Sequence, residues 1–499
     1  MNTKSLKLNG IISLLNKLVS IICSLILPRL YIEAFGSEVN GLMSSITQYL
    51  TLISLLDLGM GAVVQASMYK PLLEEDTETL STIYYKSQQF FNKVGLALLF
   101  YIGILCFILP RTLSSHFSNQ QIIGLILVLS LSQLLQFFVG ITSQIILGSD
   151  QKAYIKEILQ GLANIANLLL SLVLINANQS IFGVRLGSAL IFVIPPIIIS
   201  YYVHRHYHIS KKRIDKNYKI QQQWYGIGQH IAYTIQESTD IVILSLFASL
   251  QEVSIYAIYN TVFQGIKTFL NAATSGLRPF LGKALHIADK KELARQFNKI
   301  EWLIHTGSTI VLSTTFQLIT PFVILYTKNV KDTDYNQPIF GYMMTLALFL
   351  YALRLPYRTL IFASGEFKDT QIGTYLEALL NLILSLLLVS HMGLVGVAIG
   401  TTISFLYSLS YYIWYSYKHL LQTSYQFVIK QLLIDISVFC FSNLLAFPFL
   451  HHLTSTISWV VFAIISIMIT TSISCLINYY YNKQLLLMIL NRKKRLGKN

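Results

Sequence analysis

The chain has 499 residues, of which 54% are hydrophobic and 12% charged, with 37 Lys and Arg against 22 Asp and Glu. A soluble domain is normally about a quarter charged, so this composition excludes a soluble enzyme and points to a protein that lives in lipid. The apolar residues also recur in long runs from end to end. Runs of about 20 residues are what a helix needs to cross the hydrocarbon core. A β-barrel would instead show alternating strands of about ten residues.

The first run, 9–32, follows Lys4 and Lys7 but is broken by Asn16 and Lys17 and ends at Pro28-Arg29. No small-x-small cleavage site stands out, so it reads as a first span rather than a removed signal. Further spans are expected at 39–62, 86–109, 121–147, 155–177 and 181–203, giving six in the first part of the chain. Six more follow at 226–248, 253–277, 302–326, 339–363, 371–391 and 394–417, and a terminal pair at 428–448 and 456–481. Cys23, Cys106, Cys440 and Cys475 each sit inside an apolar run without a CxxC or Cys/His cluster, and read as small hydrophobes.

The longer connections, 63–85, 204–225 and 278–301, are rich in charge. With the N-terminus in the cytoplasm, inner loops and tails hold about 29 of the 37 Lys and Arg residues. The outer loops hold Arg29, Arg111, Arg185, Lys328 and Lys331, and the spans hold Lys17, Lys267 and Arg354. Both termini are therefore expected in the cytoplasm. The clusters Lys211-Lys212-Arg213 and Arg492-Lys493-Lys494-Arg495 read as anchors near anionic lipid, not as a nucleic-acid surface. Segment 283–299, with Leu285, Ile287, Leu293 and Phe297 among charges, reads as an interfacial amphipathic helix.

An internal repeat is visible. Glu38-Val39, Thr47, Glu78, Asn167-Leu168 and Ser171-Leu172 recur 214 positions later as Glu252-Val253, Thr261, Glu292, Asn381-Leu382 and Ser385-Leu386. Phe182-Gly183-Val184 with Gly187 recurs at 213 as Val395-Gly396-Val397 with Gly400, and these glycine pairs read as close helix packing. Six is an even number of spans, so the two halves enter the membrane in the same direction. The expected fold is an all-α integral membrane protein of about 14 transmembrane helices, in two six-helix parallel repeats plus two C-terminal helices. The expected divisions are an N-lobe at 1–210, a C-lobe at 211–420 and the terminal pair with its basic tail at 421–499. Parallel repeats of this kind build alternating-access transporters, with substrate held between the halves.

Two stretches carry a family resemblance. Ala34-Phe35-Gly36-Ser37-Glu38-Val39-Asn40-Gly41-Leu42 is followed by Leu56-Asp57-Leu58-Gly59-Met60-Gly61, and Ser238-Thr239-Asp240-Ile241-Val242-Ile243-Leu244-Ser245 by Glu252-Val253-Ser254-Ile255-Tyr256. Both resemble the Wzx-type polysaccharide flippases of the multidrug/oligosaccharidyl-lipid/polysaccharide (MOP) exporter superfamily. The resemblance implies a MATE/MOP-like bundle whose first, second, seventh and eighth spans line a central cavity. It implies a bacterial cytoplasmic-membrane protein that moves an undecaprenyl-pyrophosphate-linked oligosaccharide to the outer leaflet. It further implies membrane lipids and a polysaccharide polymerase as partners, proton or sodium as coupling ion, and a lipid-tail groove on the last two spans.

A charge at the centre of a span costs about 2.5–3.5 kcal/mol on insertion scales and normally faces a wet cavity or a partner. On the implied cavity spans these are Lys17, Asp57, Glu237, Asp240 and Lys267. Lys17 and Lys267 lie about 12 Å from the inner ends of their spans, at 1.5 Å per residue. Glu237 and Asp240 are three apart and share a face, as do Arg354 and Arg358 at a spacing of four. Lys17 and Lys267 are the expected partners of a pyrophosphate, with Arg354 and Arg358 as further candidates. Glu237 and Asp240 would pair with the lysines or bind a coupling cation. Asn16, Ser20, His230, Thr234, Gln236, Asn260 and Gln264 are candidates for sugar hydroxyls. Asp57, Glu377 and Asp435 read as structural. The tyrosines near 411–415 and 479–481 read as an interfacial belt. No Walker A loop, HExxH or GxSxG occurs, so no enzyme activity, cofactor or metal is expected. The alternatives are a multidrug or cation antiporter of the same superfamily and a lipid II flippase. A membrane glycosyltransferase is disfavoured by the short outer loops.

Overall fold

The structure, a computed structural model, describes residues 3–57, 60–113, 117–211, 215, 218, 227–452 and 455–486. His230 has a described backbone only, and Lys212, Arg213 and the basic tail from 492 lie outside the described residues, as does the side chain of Asp57. Among the described residues the chain is helical and has no strands. Among the described residues, ten helices are long and apolar enough to cross a membrane, and the protein is a multi-pass membrane protein. It divides into two compact units, Met1–Ala257 and Ile258–Asn499.

In the first unit, α1 (Thr3–Phe35), α2 (Ser37–Thr51), α3 (Met60–Leu73), α4 (Thr77–Thr112) and α5 (Asn119–Leu135) follow in order. A π-turn at Gln136–Gly140 joins α5 to α6 (Ile141–Ser149), followed by α7 (Ala153–Asn176), α8 (Ile181–His206) and α9 (Ile227–Phe247). An apolar core includes Phe91, Leu98, Ile122, Leu125 and Ile146. Hydrophobicity alone gives little drive for helix pairing inside lipid, so small polar residues act as the glue. The pairing of α1 with α7 follows that rule along its whole length. Asn9 accepts from the Tyr154 amide at 2.8 Å, Asn16 donates to Glu157 at 2.5 Å, Asn164 donates to Ser20 at 2.9 Å, and Tyr31 meets Ser171 at 3.1 Å.

The helix α2 presents Gly41 to the start of α10 (Leu250–Thr274). A Cβ on Gly41 would stand 1.8 Å from the Leu250 carbonyl oxygen, so only glycine fits. The span expected at 39–62 does not continue as one α-helix. It passes into a 3-10 stretch, Leu52–Asp57, before α3, which puts Asp57 at a break in the helix.

The second unit is built on α12 (Lys290–Tyr326). It packs against α13 (Pro338–Leu353), α16 (Gln426–Ala446) and α17 (Thr456–Tyr481), while α11 (Leu277–Ile287) packs on α14 (Leu355–Ser364). Trp302 donates to Asn478 at 2.6 Å and Trp459 to the Leu318 carbonyl at 3.2 Å, fixing α17 to α12. The amphipathic segment expected at 283–299 is instead two elements. Asp289 caps α12 by accepting from the Glu292 amide, so residues 290–299 are the first turns of α12 and bury Leu293 and Phe297. Residues 283–287 belong instead to the separate helix α11.

The spans expected at 371–391 and 394–417 are the two arms of α15 (Phe367–Tyr415), which meet at Gly393, where the backbone leaves helical geometry with φ +50°. Asn381 donates to Thr401 at 3.0 Å. Twenty residues of straight helix would span about 30 Å, so the stretch doubles back as a hairpin. Cβ atoms on Gly396 and Gly400 would lie 2.5 Å from the Leu388 carbonyl oxygen and 2.6 Å from Ser385 Oγ, which is the close packing expected of this pair. Its counterpart is looser: Gly187 is tight against Leu170, but Gly183 has only ordinary contacts.

Candidate functional site

The candidate charges fall into separate settings. Lys17 is exposed on α1. Its helical neighbours Gly10, Ser13 and Ser24 form a small and polar stripe beside the apolar positions 11, 14, 18 and 22. Asn16 and Ser20, expected to meet sugar, are instead engaged with α7.

On α9, Asp240 is buried and Glu237 half-buried. Tyr256 of α10 donates to Asp240 at 2.8 Å and lies within electrostatic reach of Glu237 as well. The direct contact is to Asp240, one helical turn from Glu237. Thr234 and Gln236 on the same helix are also buried.

In the second unit, Lys267 is 8% exposed, and its Nζ stands 4.6 Å above the Tyr351 ring. The guanidinium of Arg354 lies 4.8 Å from the same ring and 4.5 Å from Phe405. Two cations share one aromatic ring, whose quadrupole attracts both. Tyr351 is held in place by its hydroxyl, which donates to Asn271 at 2.9 Å. Arg354 forms a buried ion pair with Glu377, and Ser408 bridges them, accepting from Arg354 at 2.7 Å and donating to Glu377 at 2.8 Å. Arg358, one turn further on, is half-buried with its guanidinium 4.9 Å from Phe362. The spacing of four thus places Arg354 and Arg358 in succession along Pro338–Ser364, but with different partners.

A polar cluster that sequence reasoning missed lies between α12, α14 and α16. Glu301, His305 and Asp435 are all buried. His305 Nδ1 is 2.8 Å from Asp435, and Nε2 is 3.0 Å from the Leu353 carbonyl. Glu301 accepts from the hydroxyls of Tyr357 and Tyr417, each at 2.8 Å. Gln431 donates to Asp435 at 3.0 Å. The available signal was the i, i+4 spacing of Glu301 and His305 at the start of a span. A histidine escapes a count of Lys, Arg, Asp and Glu, and Glu301 falls one residue before the span expected at 302–326.

A groove of about 360 Å³ runs between the last two helices, lined by Ile429, Leu433, Ile434 and Ile477, with Lys430 and Tyr481 at one end. The Lys430 ammonium donates to the Tyr481 carbonyl at 2.5 Å. Among the described residues, no group of His, Cys, Asp and Glu has the geometry to hold a metal ion.

No family description matches the sequence, and no curated protein matches it. Solved structures do. The lipid II flippase MurJ in an inward closed conformation aligns with a TM-score of 0.69 at 17% identity, over 95% of this chain and 100% of that one. An inward-facing multidrug resistance MATE family transporter of the MOP superfamily aligns at 0.63 and 13%, over 81% and 97%. A MOP superfamily transporter from Pyrococcus furiosus aligns at 0.54 and 14%, over 84% and 97%. The fold of this chain is the fold of these flippases and transporters.

Proposed function

We propose that the protein belongs to the MOP superfamily and is a flippase for an undecaprenyl-pyrophosphate-linked oligosaccharide. It would carry the repeat unit of a surface polysaccharide across the bacterial cytoplasmic membrane by alternating access, upstream of a polymerase. The observation that carries the reading is Lys267, a cation buried on α10 and held over the Tyr351 ring. A lipid pyrophosphate must leave the headgroup layer, and a preplaced ammonium offsets part of that desolvation. Arg354 is matched by Glu377, so its part is to position Tyr351, while Arg358 and the exposed Lys17 are further cations for the headgroup. The groove on α16 and α17 suits a prenyl chain, with Lys430 near the phosphate end. Glu237 and Asp240 beside Tyr256 are the candidate site for a coupling proton or sodium ion. The basic bias of the inner loops supports cytoplasmic termini, and the recurrence at an offset of 214 supports two parallel lobes.

A lipid II cargo shares the same polyprenyl-pyrophosphate chemistry, and the structural likeness to MurJ favours keeping it beside the first reading. Deleting the gene separates them. Loss of surface polysaccharide with intracellular accumulation of its lipid-linked repeat unit supports the proposal. Arrested peptidoglycan synthesis would transfer it to lipid II. Intact envelopes with new sensitivity to cationic drugs would replace it with an antiporter, for which the α9 carboxylates would be the binding groups.

A further inference from the structure

The Glu301–His305–Asp435 cluster plays no part in the proposed cargo path, yet it buries three titratable groups inside the second unit. Among the described residues, neither carboxylate pairs with a Lys or Arg. Two carboxylates out of water without a cation are costly, so a proton is the charge at hand to offset them. The hydrogen bonds count that proton. Leu353 offers His305 Nε2 a carbonyl oxygen at 3.0 Å, which only accepts, so Nε2 carries a hydrogen. Nδ1 faces Asp435 Oδ2 at 2.8 Å, a contact that requires a second hydrogen between nitrogen and oxygen. Whether imidazolium donates to carboxylate or carboxylic acid to imidazole, the pair holds one proton more than neutral histidine with ionised aspartate. The other Asp435 oxygen accepts from Gln431 at 3.0 Å and lies 3.1 Å from the Thr309 hydroxyl. Both Glu301 oxygens accept from tyrosine hydroxyls, as an ionised carboxylate does.

The pair stands where α12, α13, α14 and α16 meet. His305 is on α12, Asp435 on α16, and Leu353 ends α13 at its joint with α14, whose first turn holds Pro356. Asn482, just after α17, donates to Gln431 at 3.1 Å and so ties α17 to the same point. Without the proton, a ring lone pair faces an oxygen lone pair. That happens at Asp435 if the remaining hydrogen stays on Nε2, and at Leu353 if it moves to Nδ1. Either way one tie of α12 to its neighbours turns repulsive. A hydrogen-bonded row leads outward from the pair. The Tyr357 hydroxyl is 3.3 Å from Nε2 and donates to Glu301, and Tyr417 donates to the other Glu301 oxygen. Tyr417 lies in the π-turn Ser416–Leu421, beside the exposed Lys418 and His419.

We propose that His305 and Asp435 bind one exchangeable proton, delivered through Tyr417, Glu301 and Tyr357, and that this proton latches α16 and α17 onto α12 and the α13–α14 joint. The latched state holds one proton more than the released state, so rising pH favours release. The site uses neither of the α9 carboxylates and is independent of which cargo the protein carries.

The test follows hydrogen exchange of α16 in the purified full-length protein in neutral detergent, from about pH 5 to pH 10, corrected for intrinsic exchange. In wild type, α16 exchange should rise about tenfold or more as the proton leaves, the equivalent of one hydrogen bond to a charged group. H305L/D435L has no such proton to lose and should give a flat profile. Lys430 on the same helix, which donates to the Tyr481 carbonyl, is present in both proteins and cannot account for the difference. E301Q keeps the pair and should keep the dependence. If the double variant is unstable, nitrogen-15 spectra of histidine-labelled wild type, assigned with H305Q, decide the matter. The His305 ring resonances should change over the same pH range as α16 exchange. The proposal is overturned if α16 exchange in wild type is independent of pH, or if the dependence persists in H305L/D435L. It is equally overturned if E301Q abolishes the dependence, which would place the proton on Glu301, or if the His305 resonances do not change over that range.

Discussion

The side-chain amide of Asn40 donates to Ser254 Oγ at 2.8 Å, and the two residues are 214 positions apart, the offset at which the sequence repeats. Other positions at this offset are alike in burial. Asn167 and Asn381 are both buried, as are Ser171 and Ser385. Asp76 and Asp289 cap the helices that begin just before Glu78 and Glu292.

Next to Asn40, Gly41 leaves no room for a Cβ against the Leu250 carbonyl. Gly41→Ala should lower the melting temperature of the purified protein, at a cost of about 1–3 kcal/mol for overpacking. Asn40→Ala removes one hydrogen bond and should cost about 1 kcal/mol. The same assay ranks the two, and a harmless Gly41→Ala would contradict the packing.

The buried His305–Asp435 pair ties α16 to α12. Removing one partner from such a pair costs about 3–5 kcal/mol, whereas replacing both with apolar residues can be nearly neutral. His305→Leu and Asp435→Leu should each expose α16–α17 to proteolysis, and the double variant should be more resistant than the two single effects predict. Additive losses would show that the pair is not coupled.

Arg354 and Glu377 are a second coupled pair. Glu377→Gln alone should destabilise strongly, because it strands a buried guanidinium. Arg354→Met with Glu377→Leu should keep both folding and transport, if Arg354 supports Tyr351 rather than touching the cargo. Folded protein with no transport in the cellular complementation assay would place Arg354 on the cargo itself.

Asp76 sits outside the spans as the cap of α4. Hydrogen bonds from the Thr79 side chain and from the Thr79 and Glu78 amides hold its carboxyl below the ordinary range. A depressed carboxylate contributes stability above its ordinary pKa and loses it as pH falls through the depressed one. Hydrogen exchange at the start of α4 should therefore accelerate below the ordinary carboxylate range in wild type. In Asp76→Ala it should be fast and pH-independent after correction for intrinsic exchange.

Hydropathy marked the spans because lipid demands long apolar helices, and charge bias gave them an expected orientation. The motif glycine and asparagine at 40–41 proved to be contact residues, and the glycines at 396 and 400 mark a real close approach. What escaped depended on partners distant in sequence. The Glu301–His305–Asp435 cluster needs α16 to become visible, and the partner of Arg354, Glu377, stands on the next span. The turn between the spans expected at 371–391 and 394–417 is the hairpin at Gly393, whereas the break after Thr51 was hidden because apolar runs do not report local helix geometry.

The most direct test is reconstitution. Vesicles containing the purified protein would be loaded with a polyprenyl-pyrophosphate saccharide, and its appearance on the opposite leaflet followed over time. Wild type should translocate it above the rate of protein-free vesicles. Lys267→Gln should be slower by about 10–100-fold, the loss of one charge-assisted contact, with unchanged melting temperature. Folded wild-type protein that moves no polyprenyl-pyrophosphate saccharide, or a Lys267→Gln variant as fast as wild type, would contradict the proposal.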